Sequence, residues 1–223
     1  MITVHHLENS RSQRILWLLE ELELDYEIRH YARDPETLLA PDELRAVHPL
    51  GKSPVVTDDG AVLAESGAII ETLVERHGAD RLRPPRGTLA HDRYLYWLHY
   101  AEGSAMSPLL LKLVFDRLSE PPVPLFVRPI SAGIAAGVTR KFIGPQLERH
   151  FGFIESELDG RDWFAGDHFS AADIQMSFPL EAAAARGVLG DAHPHSLDFL
   201  ERIHARPAYQ RALERGGPYA LLS

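Results

Sequence analysis

The sequence predicts two structural units in series, a small α/β unit before an all-helical one. Three observations carry this. Residues 1–78 alternate short β-type runs with helical periods in the order β-α-β-α-β-β-α. Residues 79–87, Ala-Asp-Arg-Leu-Arg-Pro-Pro-Arg-Gly, hold two prolines, a glycine and three arginines without an apolar period, as a linker does. From residue 88 to the C-terminus the pattern is helical. The division is 1–80, 81–87 as linker, and 88–223.

Ile2 to Leu7 reads as the first strand. Residues 12–24 place Ile15, Leu16, Leu18, Leu19 and Leu22 on one side of a helix, with Glu20, Glu21 and Glu23 outward. The polar turn Glu8-Asn9-Ser10-Arg11 joins them. Tyr26 to Tyr31 reads as a second strand and Pro41 to Val47 as a short helix. Pro54–Thr57 and Ala61–Ala64 flank Asp58-Asp59-Gly60, a hairpin signal because Asp-Gly tolerates the positive φ of a tight turn. Ile69, Ile70, Leu73 and Val74 then give a closing helix over 66–78. Ser66 stands where strand hands over to helix, so the unpaired N–H groups of the first turn offer an anion site. A parallel βαβ unit joined to an antiparallel pair on one sheet matches a thioredoxin-like domain.

In the second unit, residues 88–118 read as one long helix bent near Met106-Ser107-Pro108, where a proline removes a hydrogen bond. Residues 119–129 hold four prolines and read as a loop, either a lid or plain surface. Residues 132–159 read as the next helix, interrupted at Gly144-Pro145. Ser170-x-x-Asp173 is a capping-box variant that opens a buried helix, a structural signal only. Residues 195–205 and 207–215 supply the last two helices.

Composition narrows the function. With 45% hydrophobic and 25% charged residues in 223, the chain is of ordinary globular type. Its formal charge of −9 argues against nucleic acid or an anionic membrane as partner. An anionic ligand would need local cations, for which Lys52, Arg11 and Arg14 are the candidates. The absence of cysteine excludes disulfides, thiolate metal sites and protein-thiol redox chemistry. The twelve histidines are scattered, and His5-His6 alternate across a strand, so no metal is expected. The N-terminus lacks the basic start and apolar core of a signal peptide, and no stretch reaches transmembrane length, which implies a cytoplasmic protein.

Residues 48–71 organise the site. Ser53-Pro54 puts proline at the one strand position that tolerates it. A cis bond there would turn the Ser53 backbone outward to pair with an extended peptide as an added strand, although trans is the commoner isomer. Gly51-Lys52-x-Pro54, a hairpin, then Leu63-Ala64-Glu65-Ser66-x-Ala68-Ile69 resembles the glutathione-binding half of the cytosolic glutathione S-transferases. His48-Pro49-Leu50-Gly51 with Ser53-Pro54 is similar to the fungal and bacterial branch related to the yeast microsome-associated transferase. That family places a thioredoxin-like domain before an all-helical one, so the resemblance covers nearly the whole chain. Its residue before the proline is usually aliphatic; here it is Ser53, and since the backbone makes the contact, binding should survive.

The resemblance implies a glutathione transferase in which a thiolate attacks a small hydrophobic electrophile, with glutathione as co-substrate, no metal and a homodimeric assembly. Reduction of organic hydroperoxides would be a side activity. The family's thiolate partner is a Tyr, Ser or Cys just after the first strand; here the choices are Ser10, Ser12 and the amide of Asn9. Ser10 is taken as the donor, although on spacing alone it is a helix N-cap. Arg11 would help to hold the anion or lie solvated. Lys52 would pair with the glycyl carboxylate, the Ser53 backbone beside Pro54 with the cysteinyl backbone, and Glu65 and Ser66 with the γ-glutamyl end. The alternative at Ser66 is a plain N-cap. Tyr96, Trp97, Tyr100, Ser104 and Pro108 would face the electrophile, or else form core or a subunit interface. The rival functions are a non-catalytic binding protein of the same fold and a glutathione-dependent isomerase or dehalogenase.

Overall fold

The computed structural model describes residues 1–222 apart from 36, 38, 79 and 80, with Leu222 described by its backbone alone. Residues 79 and 80, at the start of the expected linker, therefore lie outside the described residues. The first unit comprises β1 (Ile2–Leu7), α1 (Gln13–Leu22), β2 (Tyr26–Tyr31), α2 (Asp42–Val47), β3 (Val55–Asp58), β4 (Ala61–Ala64) and α3 (Ser66–His77). The strands form one sheet in the order β2-β1-β3-β4. β1 runs parallel to β2, with Val4 opposite Ile28, and antiparallel to β3, with Val4 opposite Val56. Val4 and Val56 are fully buried beneath α1 and α3, whose Ile15, Leu19, Ile69, Ile70 and Leu73 are buried with them.

The second unit comprises α4 (Leu89–Tyr100), α5 (Met106–Asp116), α6 (Arg128–Val138), α7 (Gly144–Leu158), α8 (Ala171–Ala185), α9 (Pro194–His204) and α10 (Pro207–Gly216). Three details correct the sequence reading. The interruption expected at Pro108 is a π-helical turn upstream, Ala101–Ala105, where the Met106 N–H reaches back five residues to the Ala101 carbonyl. A second π turn, Thr139–Ile143, precedes Pro145, which sits in the first turn of α7. In both places the register changes just before a proline, so the bond that the proline cannot donate falls where the ladder is already shifting. The loop expected over 119–129 ends earlier, because α6 begins at Arg128 with Pro129 in its first turn, a place that needs no N–H.

α8 is the buried axis of the second unit. Ser170 and Asp173 form a reciprocal capping box at its start. Asp173 also accepts the Phe164 N–H at 2.8 Å, which pins the preceding loop to the helix. One apolar cluster runs through both units, from Val4 and Leu16 to Trp97, Phe151 and Phe199. Among the described residues no helix is long and apolar enough to cross a membrane.

Candidate active site

The turn between β1 and α1 carries a chain of hydroxyl groups. Ser10 is buried, and its Oγ lies 2.7 Å from Ser12 Oγ and donates to Ser53 Oγ at 3.1 Å. Ser12 returns its backbone N–H to Ser10 Oγ at 3.2 Å, and its own Oγ meets His6 Nδ1 at 2.9 Å. Burial pushes His6 down to about 4, with His30 beside it adding to the push, while a hydrogen bond to the Gly216 backbone opposes both. His6 is therefore neutral near pH 7. A neutral imidazole has one N–H and one acceptor nitrogen, so the direction of the Ser12 Oγ–His6 Nδ1 contact follows the tautomer. Ser53 can place its hydroxyl hydrogen on the His5 carbonyl at 3.3 Å. Ser10 donates its own hydrogen to Ser53 in this arrangement, and as a hydroxyl rotor it can swing that hydrogen to another acceptor.

Ser53 lies just beyond the last registered pair of β1 and β3, His5 opposite Val55, and the Ser53–Pro54 bond is cis. Lys52 stands exposed beside it, after Gly51, whose φ of +54° carries the chain out of α2 into β3. Asn9 adopts a φ of +49° and accepts the Ala220 N–H on Oδ1 at 2.7 Å, so the end of the chain lies across this turn.

At the start of α3 the helix cap is Glu65, in a strained backbone with φ +71°, and Ser66 is the first helical residue. The alternative of a plain N-cap at Ser66 is therefore not what the fold uses. The Ser66 Oγ instead accepts from Arg14 Nη2 at 3.0 Å. Arg14 is 1% exposed and also donates to the Gln175 carbonyl at 2.7 Å and to Glu102. Glu102 lies in the first π turn and reaches Arg11 Nε at 3.3 Å as well. Burial pushes the Glu102 carboxyl up, but Arg14 and Arg11 outweigh it and hold it below its usual range. The second unit thus supplies the acid that anchors two arginines behind Glu65 and Ser66. Sequence reading misses Glu102, because no local pattern marks one exposed-looking acid in a long helix.

Between the units lies a cleft of about 360 Å³. One wall holds Asn9, Ser10, Arg11, Lys52 and Ser53; the other holds Met106, Leu109, Leu110 and Leu113 of α5 and Phe178 of α8. The five residues expected to face an electrophile fall elsewhere. Trp97 is buried core, its ring 4.6 Å from Phe164, and Pro108 is buried. Tyr96, Tyr100 and Ser104 border a separate open depression, with the Tyr100 hydroxyl on His150 Nδ1 at 2.7 Å. The helix expected to form the wall does form it, but with its next turns. The extra residue of the π turn rotates the face by about 100°, and sequence period does not register it. None of residues 119–129 lines the cleft.

The chain as a whole is similar to known proteins. A family model described as glutathione S-transferase, N-terminal domain, matches residues 10–76, and one described as glutathione S-transferase, C-terminal domain, matches 144–207. Glutathione S-transferase 3 of Schizosaccharomyces pombe is 37% identical over 96% of this chain and 88% of its own. Glutathione S-transferase 1 of Saccharomyces cerevisiae is 30% identical over 96% and 95%. The crystal structure of a glutathione S-transferase from Actinobacillus pleuropneumoniae superposes with a TM-score of 0.76 at 34% identity, covering 99% of this chain and 94% of that one.

Proposed function

Proceeding from the glutathione S-transferase family, to which this chain belongs, we propose that it conjugates glutathione to hydrophobic electrophiles, with Ser10 donating its hydroxyl hydrogen to the thiolate. Lys52 takes the glycyl carboxylate, the Ser53 backbone beside Pro54 pairs with the cysteinyl segment, and Glu65 and Ser66 receive the γ-glutamyl end. Asn9 and Arg11 flank the sulfur. Met106, Leu109, Leu110, Leu113 and Phe178 shape the apolar wall against which the electrophile rests.

The observation that carries this reading is the position of Ser10 Oγ at the cleft wall, where it donates to the Ser53 hydroxyl at 3.1 Å with a hydrogen that can rotate toward an anion. A free thiol has a pKa of about 8.5, and lowering it by about two units needs roughly 2.7 kcal/mol of preferential thiolate stabilisation. One hydrogen bond to a charged group contributes about 1.5–3 kcal/mol. A single hydroxyl beside a helix start is therefore enough, and no general base is needed. The same thiolate would reduce organic hydroperoxides. The family's pattern further supports a homodimer working in detoxification in the cytoplasm.

The test pairs calorimetric titration with glutathione and turnover of a chlorodinitrobenzene. Wild type should bind and conjugate. Ser10→Ala should still bind glutathione but lose about 10- to 100-fold in turnover at neutral pH. Retained turnover in that variant would remove Ser10 from the mechanism.

A further inference from the structure

The cleft is basic although the protein is acidic. Among the described residues its lining includes Arg11, Arg33, Arg45, Lys52 and Arg186 and no acidic residue, against a formal charge of −9 for the chain. Most of these cations are already engaged. Arg11 is paired with Glu102 at 3.3 Å and Arg45 with Asp42 at 3.1 Å. Arg33 donates to the Glu8 and Asn9 carbonyls at 3.2 and 3.4 Å. Lys52 stands at the glutathione end. Arg186 is different.

Arg186 comes directly after the last turn of α8 and is half-buried. It donates from Nη1 to the Ala182 carbonyl at 3.2 Å, and among the described residues no carboxylate forms an ion pair with it. A guanidinium has five N–H donors, so most of its capacity is unspent. The charged groups that reach it electrostatically are Arg117 and Asp116; Asp116 is bound to Lys112 at 2.9 Å, and Arg117 repels. Burial together with Arg117 lowers its proton affinity, so a cation is being held where its surroundings do not favour one. Capping the α8 carbonyls accounts for one N–H. It does not account for the rest of the fork at the wall of a cleft.

The apolar wall runs up to this cation. Phe178 has Arg11 over its ring at 5.4 Å, next to Ser10, and Arg186 lies eight residues further on, just past the end of the same helix, about 12 Å at the usual helical rise. We infer that the electrophile this cleft selects is an apolar, aryl-type molecule bearing an anionic group, a carboxylate or a sulfonate, which pairs with Arg186 while the apolar body lies along Leu109, Leu113 and Phe178. The inference rests on the reading of this cleft as the conjugation site, and it makes Arg186 a specificity-determining residue. The planar fork suits a two-oxygen anion better than a point charge does.

The experiment measures binding by calorimetry of naphthoate against its uncharged amide, in parallel with kcat/KM for a chlorodinitrobenzoate against its methyl ester. Wild type should prefer the anion in both pairs by about tenfold or more. Arg186→Gln should close the difference, and Arg186→Lys, which keeps the charge, should restore part of it. Equal affinity for anion and amide in wild type, or a preference that persists in Arg186→Gln, would overturn the inference. A simple helix-capping role would lower the melting temperature of Arg186→Gln without closing the gap, and that outcome also overturns it. Glutathione affinity in the same wild-type titration separates the two readings. Should glutathione fail to bind while naphthoate preference depends on Arg186, the conjugation reading falls and the anion subsite stands.

Discussion

At the scale of single residues, the buried Arg14 and Glu102 couple the two units. Arg14 brings a charge into the interior, which is tolerable only with a carboxylate and further acceptors around it. It has three: Glu102, the Ser66 hydroxyl and the Gln175 carbonyl. Glu102→Gln should therefore destabilise the fold by about 3 kcal/mol, the lower end for breaking a buried pair, since Glu102 is 31% exposed. The sign with pH comes from its depressed carboxyl. A carboxylate that binds protons less tightly when folded contributes stability above its unfolded pKa and loses it as pH falls through the folded value. Wild type should thus lose melting temperature on acidification below about pH 4.5, and Glu102→Gln should lose less over that range. Thermal scans of both proteins across pH decide it. An equal slope would show that Glu102 does not carry the coupling.

At the scale of elements, the starts of helices hold the site and the core. The Ser170–Asp173 box is the clearest. Asp173 accepts the Ser170 N–H at 2.8 Å, the Ser170 hydroxyl at 3.0 Å and the Phe164 N–H at 2.8 Å, all buried. Asp173→Ala leaves two buried N–H groups unpaired, for an expected cost of about 2–4 kcal/mol. Denaturant unfolding measures this, and a loss below about 0.5 kcal/mol would contradict the assigned role. This box is legible in the sequence because its chemistry is local, an N-cap serine and an acid three residues on. The same holds for β1, β2 and the Asp59-Gly60 hairpin, where alternation and turn residues set the structure within a few positions. The π turns are not legible. Nothing local distinguishes Ala101–Ala105 from ordinary helix, yet the turn decides that Met106, Leu109 and Leu113 face the cleft while Trp97 faces the core. Ser66 shows the opposite limit. Its place at the helix start can be read from sequence, but its partner, Arg14, is 52 residues away and only the fold supplies it.

At the scale of the molecule, the end of the chain returns to the beginning. α10 packs along α1, with Tyr209 edge-on to Trp17 at 5.0 Å. Arg206 pairs with Glu21 through two bonds of 2.6 and 2.8 Å, and Arg211 and Arg215 both reach Glu20. Gly216 closes the joint: a Cβ there would sit 2.7 Å from Gln13 Oε1 and 2.8 Å from Leu16 Cδ1. That approach also brings the Gly216 backbone to His6, whose Nδ1 meets the Ser12 hydroxyl at 2.9 Å. On the proposed function, this arrangement serves one hydroxyl, that of Ser10, in a basic cleft. The measurement that tests this most directly is a pH titration of the ultraviolet thiolate band of glutathione bound to the wild-type protein. The bound thiol should titrate about two units below the free value of about 8.5, and Ser10→Ala should return it most of the way. A bound thiol that titrates at the free value in wild type would contradict the account.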